Sequence, residues 1–148
     1  IMVDVGPGSF TGIRVGVAAA KALGLAWHIP VHGYGCLSLV AAMARAQSAS
    51  HAAVDVIMTG GHGEYFFEAF NDAGHSIAPA RSVLLELLPT VAVADHVAGD
   101  IAPERADRVW TDILPEARAW AYLPDDHALP PVPVYGRAPD AKPAAVRA

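Results

Sequence analysis

The residues best suited to chemistry stand near the start of the chain, where Gly6-Pro7-Gly8-Ser9-Phe10-Thr11-Gly12 follows a short apolar run. A glycine-rich turn opening a helix can aim backbone N–H groups at a phosphate. A Walker-type loop closes on Gly-Lys-Ser/Thr, and Thr11-Gly12-Ile13 stands there instead. The dinucleotide fingerprint GxGxxG is stretched to GxGxxxG at Gly6, Gly8 and Gly12. A tight strand-to-helix turn that needs glycine for backbone reasons alone accounts for the same residues. A second cluster, Gly60-Gly61-His62, is a glycine turn of the kind that binds anions, although a histidine there also suits a solvated turn. Gly8, Ser9, Gly60, Gly61 and His62 are therefore the candidate nucleotide or phosphate contacts.

The other reactive side chains do not assemble on paper. His28 and His32 have the HxxxH spacing of helical metal ligands, but Pro30 lies between them and ends a helix. Ser9 has no evident His and Asp partners. Glu64 and Glu68 share a face of a presumed strand, and nothing in the pattern makes them an acid and a base. Cys36 is the only cysteine, which excludes an intrachain disulfide and a CxxC metal site and suits a reducing compartment. No catalytic residue and no metal site is expected.

The elements that would position these residues follow from the pattern. Ile1 to Val5 reads as a strand, and Ser9 or Thr11 caps a helix over about residues 12 to 26. Gly12, Gly16, Ala20 and Gly24 recur every four residues on it. Two interior glycines cost on the order of 1 kcal/mol each against alanine, so close approach of another backbone is expected. That backbone belongs either to the chain's own sheet or to another subunit. Residues 30 to 34 form a second strand, and Leu37, Val40, Ala41 and Ala44 mark a helix over 36 to 47. This strand–helix alternation predicts an α/β domain with parallel pairing.

After the small polar stretch 46 to 51, residues 53 to 58 and 64 to 71 read as a hairpin with a glycine tip. Val83 to Leu88 reads as the start of a short helix, Thr90 to Ala94 as a strand, and Val97 to Asp100 as a turn. Prolines break the remainder into short pieces. The division is 1–48 for a first lobe and 49–148 for a second.

Composition narrows the partners. Of 148 residues, 53% are hydrophobic and 17% charged, which favours a packed core over disorder. Net charge is −5, and the ten Lys and Arg are scattered, so the chain lacks the basic stripe that grips a nucleic-acid backbone. No stretch approaches the roughly 20 apolar residues of a membrane span. A strand at residue 1 leads us to expect that an N-terminal portion precedes Ile1.

The run Gly6 to Gly16, with Ala20-Lys21-Ala22-Leu23-Gly24 beyond it, resembles the signature of the TsaB family. Pro133-Val134-Tyr135-Gly136-Arg137-Ala138-Pro139-Asp140-Ala141-Lys142-Pro143 is similar to that family's C-terminal segment, and Gly63-Glu64 with its aromatics to the hairpin opening the second lobe. The resemblance implies an actin-like, two-lobed α/β fold of the ASKHA ATPase superfamily, RNase H-like, here with an incomplete first lobe. It further implies a non-catalytic, cytoplasmic subunit for making threonylcarbamoyladenosine in tRNA. Its partners would be a TsaD-like catalytic subunit and a TsaE-like ATPase, with a homodimer open to the isolated chain.

In that family the helix after the glycine loop joins the subunits, which implies Gly12, Arg14, Gly16, Ala20, Lys21 and Gly24 as the interface. No cofactor would bind tightly, ATP or ADP entering only where partners meet, and tRNA only through the complex. The catalytic paralog's metal-binding histidines correspond to Cys36 and Val40, which supply no ligand pair. The chain departs from the family pattern in three places. Its opening hairpin and long helix have no counterpart before Ile1, Thr59-Gly60-Gly61 replaces Asp-Ala-Arg, and prolines 124 to 133 crowd the last helix. Two other readings stay open: a nucleotide-binding phosphotransferase using Gly8, Gly60 and Gly61, and a metallopeptidase.

Overall fold

The computed structural model describes residues 1–49, 51–61, 63–101 and 108–136. Strand β1 (Met2–Asp4) runs through the glycine loop into helix α1 (Phe10–Trp27) and returns as β2 (His32–Tyr34), which pairs with β1 in parallel. Parallel neighbours need a crossover of this length, and α1 supplies it. The Ser9 side chain accepts from the Gly12 N–H at 3.3 Å to cap the helix. His28 closes it with φ 55° and donates its N–H to the last turn, so His28 and His32 sit on different elements.

Helix α2 (Cys36–Ser48) follows at once and leads to a five-stranded sheet. β3 (Val54–Thr59) and β4 (Glu64–Phe70) form the expected hairpin. β5 (Arg81–Leu84) adds antiparallel to β4, while β6 (His96–Gly99) and β7 (Val109–Asp112) add in parallel beyond β3. The order is β5-β4-β3-β6-β7.

Alternation along β3 explains its central place. Val54 and Val56 face α2, where Leu37, Val40, Ala41 and Ala44 meet them with Phe70 and Ala98. Ile57 faces the other side, against Phe67, Val83, Leu88, Ala92 and Val97. Each fully buried side chain of this size contributes about 1.5–3 kcal/mol, so this sheet carries most of the stability.

Three expectations are overturned in this lobe. Val83 and Leu84 belong to β5, because Tyr65 and Glu64 hold them in register; the helical turn starts at Leu85. Residues 88 to 91 are helix α3 (Leu88–Val91) rather than strand, with Pro89 in the first turn, where its fixed φ fits. Val97 to Gly99 is strand β6, paired on both edges, not a turn. Gly99 has φ +126°, and a Cβ there would overlap the Ile57 carbonyl, so glycine here serves close strand approach.

The described chain ends in a strap. Leu129 and Gly33 exchange N–H···O bonds of 2.7 and 2.8 Å, the Val134 N–H reaches the Val5 carbonyl at 2.7 Å, and the Ser82 N–H reaches the Gly136 carbonyl at 2.8 Å. The segment 129–136 thus joins the small sheet to the large one.

Candidate functional site: the glycine loop and the outward face of the first helix

The strap brings the two distant signature segments together. Tyr135 stacks on Phe10 with ring centroids 4.9 Å apart, and its hydroxyl accepts from Arg14 Nε at 2.8 Å. The Arg14 guanidinium lies 4.0 Å above the Phe10 ring. Gly6 closes the arrangement underneath: its φ is +108°, and a side chain there would overlap the Val134 carbonyl. The spacing of the glycines is therefore set by a turn that seats the strap.

Behind the loop lies a polar group of three, with Tyr34 and Cys36 buried and Asp4 half-buried. Asp4 accepts from the Gly6 N–H at 2.7 Å and from the Cys36 thiol. Burial pushes the Asp4 carboxyl above its ordinary value, against those two hydrogen bonds. Burial, with Asp4 nearby, pushes Tyr34 up to about 12 and raises Cys36 further. The thiolate is the reactive form, and burial and the nearby Asp4 both disfavour it at Cys36. Val40, on the same helix, is fully buried in the core.

Helix α1 divides the small-residue stripe between two fates. A step of four residues drifts by about 40°, so the stripe turns as it climbs. Ala20 and Gly24 face inward beside Ile13 and Val17, and a Cβ on Gly24 would overlap Val31. Gly12 and Gly16 face outward, and a Cβ on Gly16 would meet nothing within 4 Å. Arg14 and Lys21 lie exposed along one side.

The outward face itself was missed by the search for small residues. Thr11, Val15, Ala18, Ala22, Leu25 and Ala26 are all exposed there, Leu25 at 78%. The signal was available: Arg14 and Lys21 are the only charges in this 18-residue helix. With only two charges, the uncharged surface of α1 is wider than the stripe its own lobe covers.

The second glycine cluster is spent on its own hairpin. The Gly60 N–H donates to the Glu64 carbonyl at 2.9 Å, and the Glu64 N–H donates to the Gly61 carbonyl at 3.3 Å. This tip belongs to the five-stranded sheet, whereas Gly8 and Ser9 stand exposed at the start of α1. His62 lies outside the described residues, as does the signature from Arg137 onward. Glu64 bonds the Ser82 hydroxyl and Glu68 the Ser76 hydroxyl, so the two carboxylates have separate partners. No helix among the described residues is long and apolar enough to cross a membrane, and no group of three metal-ligating side chains occurs among them.

Among the described residues, these features define an actin-like α/β protein that leaves one apolar side of a helix exposed beside its glycine loop. Comparison with known proteins agrees in fold. YeaZ from Pseudomonas aeruginosa superposes with a TM-score of 0.70 at 20% identity, over 91% of this chain and 73% of that one. An uncharacterized Pseudomonas aeruginosa protein with similarity to peptidase YEAZ superposes with a TM-score of 0.74 at 22% identity, over 93% and 73%. Uncharacterized proteins of Mycobacterium bovis and Mycobacterium tuberculosis are 32% identical over 99% of this chain and 67% of their own length.

The profile of the family described as TsaD, tRNA N6-adenosine threonylcarbamoyltransferase, matches residues 1–84. The chain belongs to this family, as a TsaB-like member by its fold.

Proposed function

We propose that the chain is a non-catalytic subunit of a tRNA threonylcarbamoyladenosine-forming complex and docks a TsaD-like catalytic subunit through α1. The observation that carries this reading is the uncharged outward face of α1, from Thr11 to Ala26, exposed in the chain alone. A contiguous apolar patch of this kind marks a protein contact. Gly12 and Gly16 let a partner helix approach closely, and Arg14 and Lys21 favour acidic residues opposite. Ala20 and Gly24 support the interface from beneath by seating α1 on its own lobe. A TsaE-like ATPase, and tRNA held by the assembled complex, complete the proposed partnership.

The test is co-purification with the family's catalytic subunit. Gly16→Leu fills open space and leaves the isolated chain folded, and we expect it to abolish the complex. A complex that survives this change rules out the face. Calorimetry with magnesium ATP addresses the nucleotide-binding reading separately: tight one-to-one binding by the chain alone would favour it over docking.

A further inference from the structure

A polar cluster unused by the glycine loop or the helix face joins the β4–β5 connection to the turn Asp125–His127. Glu68 is 8% exposed, and its Oε1 lies 2.6 Å from Ser76 Oγ. The same Oγ lies 2.6 Å from the Ala78 carbonyl oxygen. His127, its side chain 14% exposed, sets Nδ1 3.1 Å from Asp126 Oδ1 and Nε2 3.2 Å from the Gly74 carbonyl oxygen. His75 Nε2 lies 3.1 Å from Asp126 Oδ2, and the two imidazoles stack at 5.7 Å.

These contacts need more hydrogens than the groups carry in their common neutral-pH forms. A hydroxyl has one hydrogen. Ser76 therefore has one hydrogen for two acceptors. One proton on Glu68 resolves the shortage: its O–H donates to Ser76 Oγ while Ser76 donates to Ala78.

We propose that this cluster is a proton-operated latch, in which Glu68 takes up a proton to order residues 74–78 against the turn 125–127, which His127 joins at the Gly74 carbonyl, and so hold the strap 129–136 across the small sheet. The strap begins two residues after His127 and carries Tyr135 to Arg14 and Phe10. Loosening the latch therefore loosens the edge of the α1 face.

The nearby charged groups are Arg45 on α2, bonded to the Ala52, Asn71 and Asp72 carbonyls, and Asp125, which shares the short helical turn with Asp126 and His127. Tyr122 and His51 line the adjoining cavity of about 460 Å³ with Arg45 and His127. Arg45 keeps its charge throughout, so it anchors without switching. Burial pushes Glu68 above its ordinary 4.5, against its Ser76 bond and the nearby His127. The folded cluster holds a proton that the unfolded chain releases, so this stabilisation is present at lower pH and lost as pH rises through the raised value.

Amide hydrogen exchange on the intact chain tests the latch, with rates corrected for intrinsic chemistry. Protection at Leu129 and Val134 should fall as pH rises above Glu68's ordinary 4.5 and through its raised value, by up to about tenfold per pH unit. Glu68→Gln supplies a permanent N–H to Ser76 and should keep protection at the higher pH. His127→Gln should lower protection at the lower pH. Core amides of Val56 and Phe67 should hold steady. Protection that ignores pH, a wild-type slope in Glu68→Gln, or parallel loss at the core amides would each overturn the proposal.

Discussion

Helices α1 and α2 are both rich in small and aliphatic residues, yet they spend their surfaces differently. α2 buries seven of 13 residues, with Leu39, Val40 and Ala44 at 0% exposure, because it lies between the small sheet and the large one. α1 buries only Ile13, Val17, Ala20 and Gly24 of 18, and leaves Val15, Leu23, Leu25 and Trp27 in the open. Apolar content alone therefore does not make a core helix. The difference lies in how many elements the fold packs against it, and an apolar face left over is a place for a partner.

The contrast can be broken by substitution. Leu37→Ala in α2 removes a side chain 1% exposed from the large core and should cost about 3 kcal/mol, seen as a lower urea midpoint. Gly6→Ala forces a side chain into φ +108° and against the Val134 carbonyl, and should cost about 2 kcal/mol while weakening strap protection in hydrogen exchange. Leu25→Ala in α1 should change stability by less than about 0.5 kcal/mol while weakening partner binding, since Leu25 is 78% exposed. A stability loss as large as that at Leu37 would mean that α1 is packed in the free chain.

A protonation measurement sharpens the same division. His96 sits in the large sheet, 4% exposed, with Nε2 2.8 Å from Thr111 Oγ1, and burial holds its imidazole below the ordinary 6.5. As pH falls below 6.5 the unfolded chain takes up the proton first, so this contribution is full above 6.5 and lost below it. The stability advantage of wild type over His96→Gln should therefore shrink as urea midpoints are taken at successively lower pH. This slope is opposite in sign to the one proposed for Glu68, so the two variants report on different protons.

Much of the first 60 residues was legible. The glycine loop, the cap at Ser9 and the 3.6-residue period of α2 are local signals, and each matches an observed element. Legibility failed where a strand owes its existence to neighbours. Val97-Ala98-Gly99 carries a turn residue, and only pairing with β3 and β7 makes it a strand. Leu88 to Val91 holds β-branched residues, but it packs as a helical turn over Ile57 and Phe67. Glu68, Ser76 and His127 could not be linked on paper, because two of the three come from loops without periodicity.

The sequence by itself determined that a glycine turn launches a helix with almost no charge, and that two distant segments carry one family's marks. Those properties reside in residue types and short spacings, so a linear reading reaches them. Only the tertiary structure decided which side of α1 is left uncovered and that Tyr135 meets Arg14 and Phe10 across 121 residues. It also turned the upper half of the small-residue stripe inward. A helix period fixes which residues share a face, and the packing of the rest of the chain fixes what that face meets.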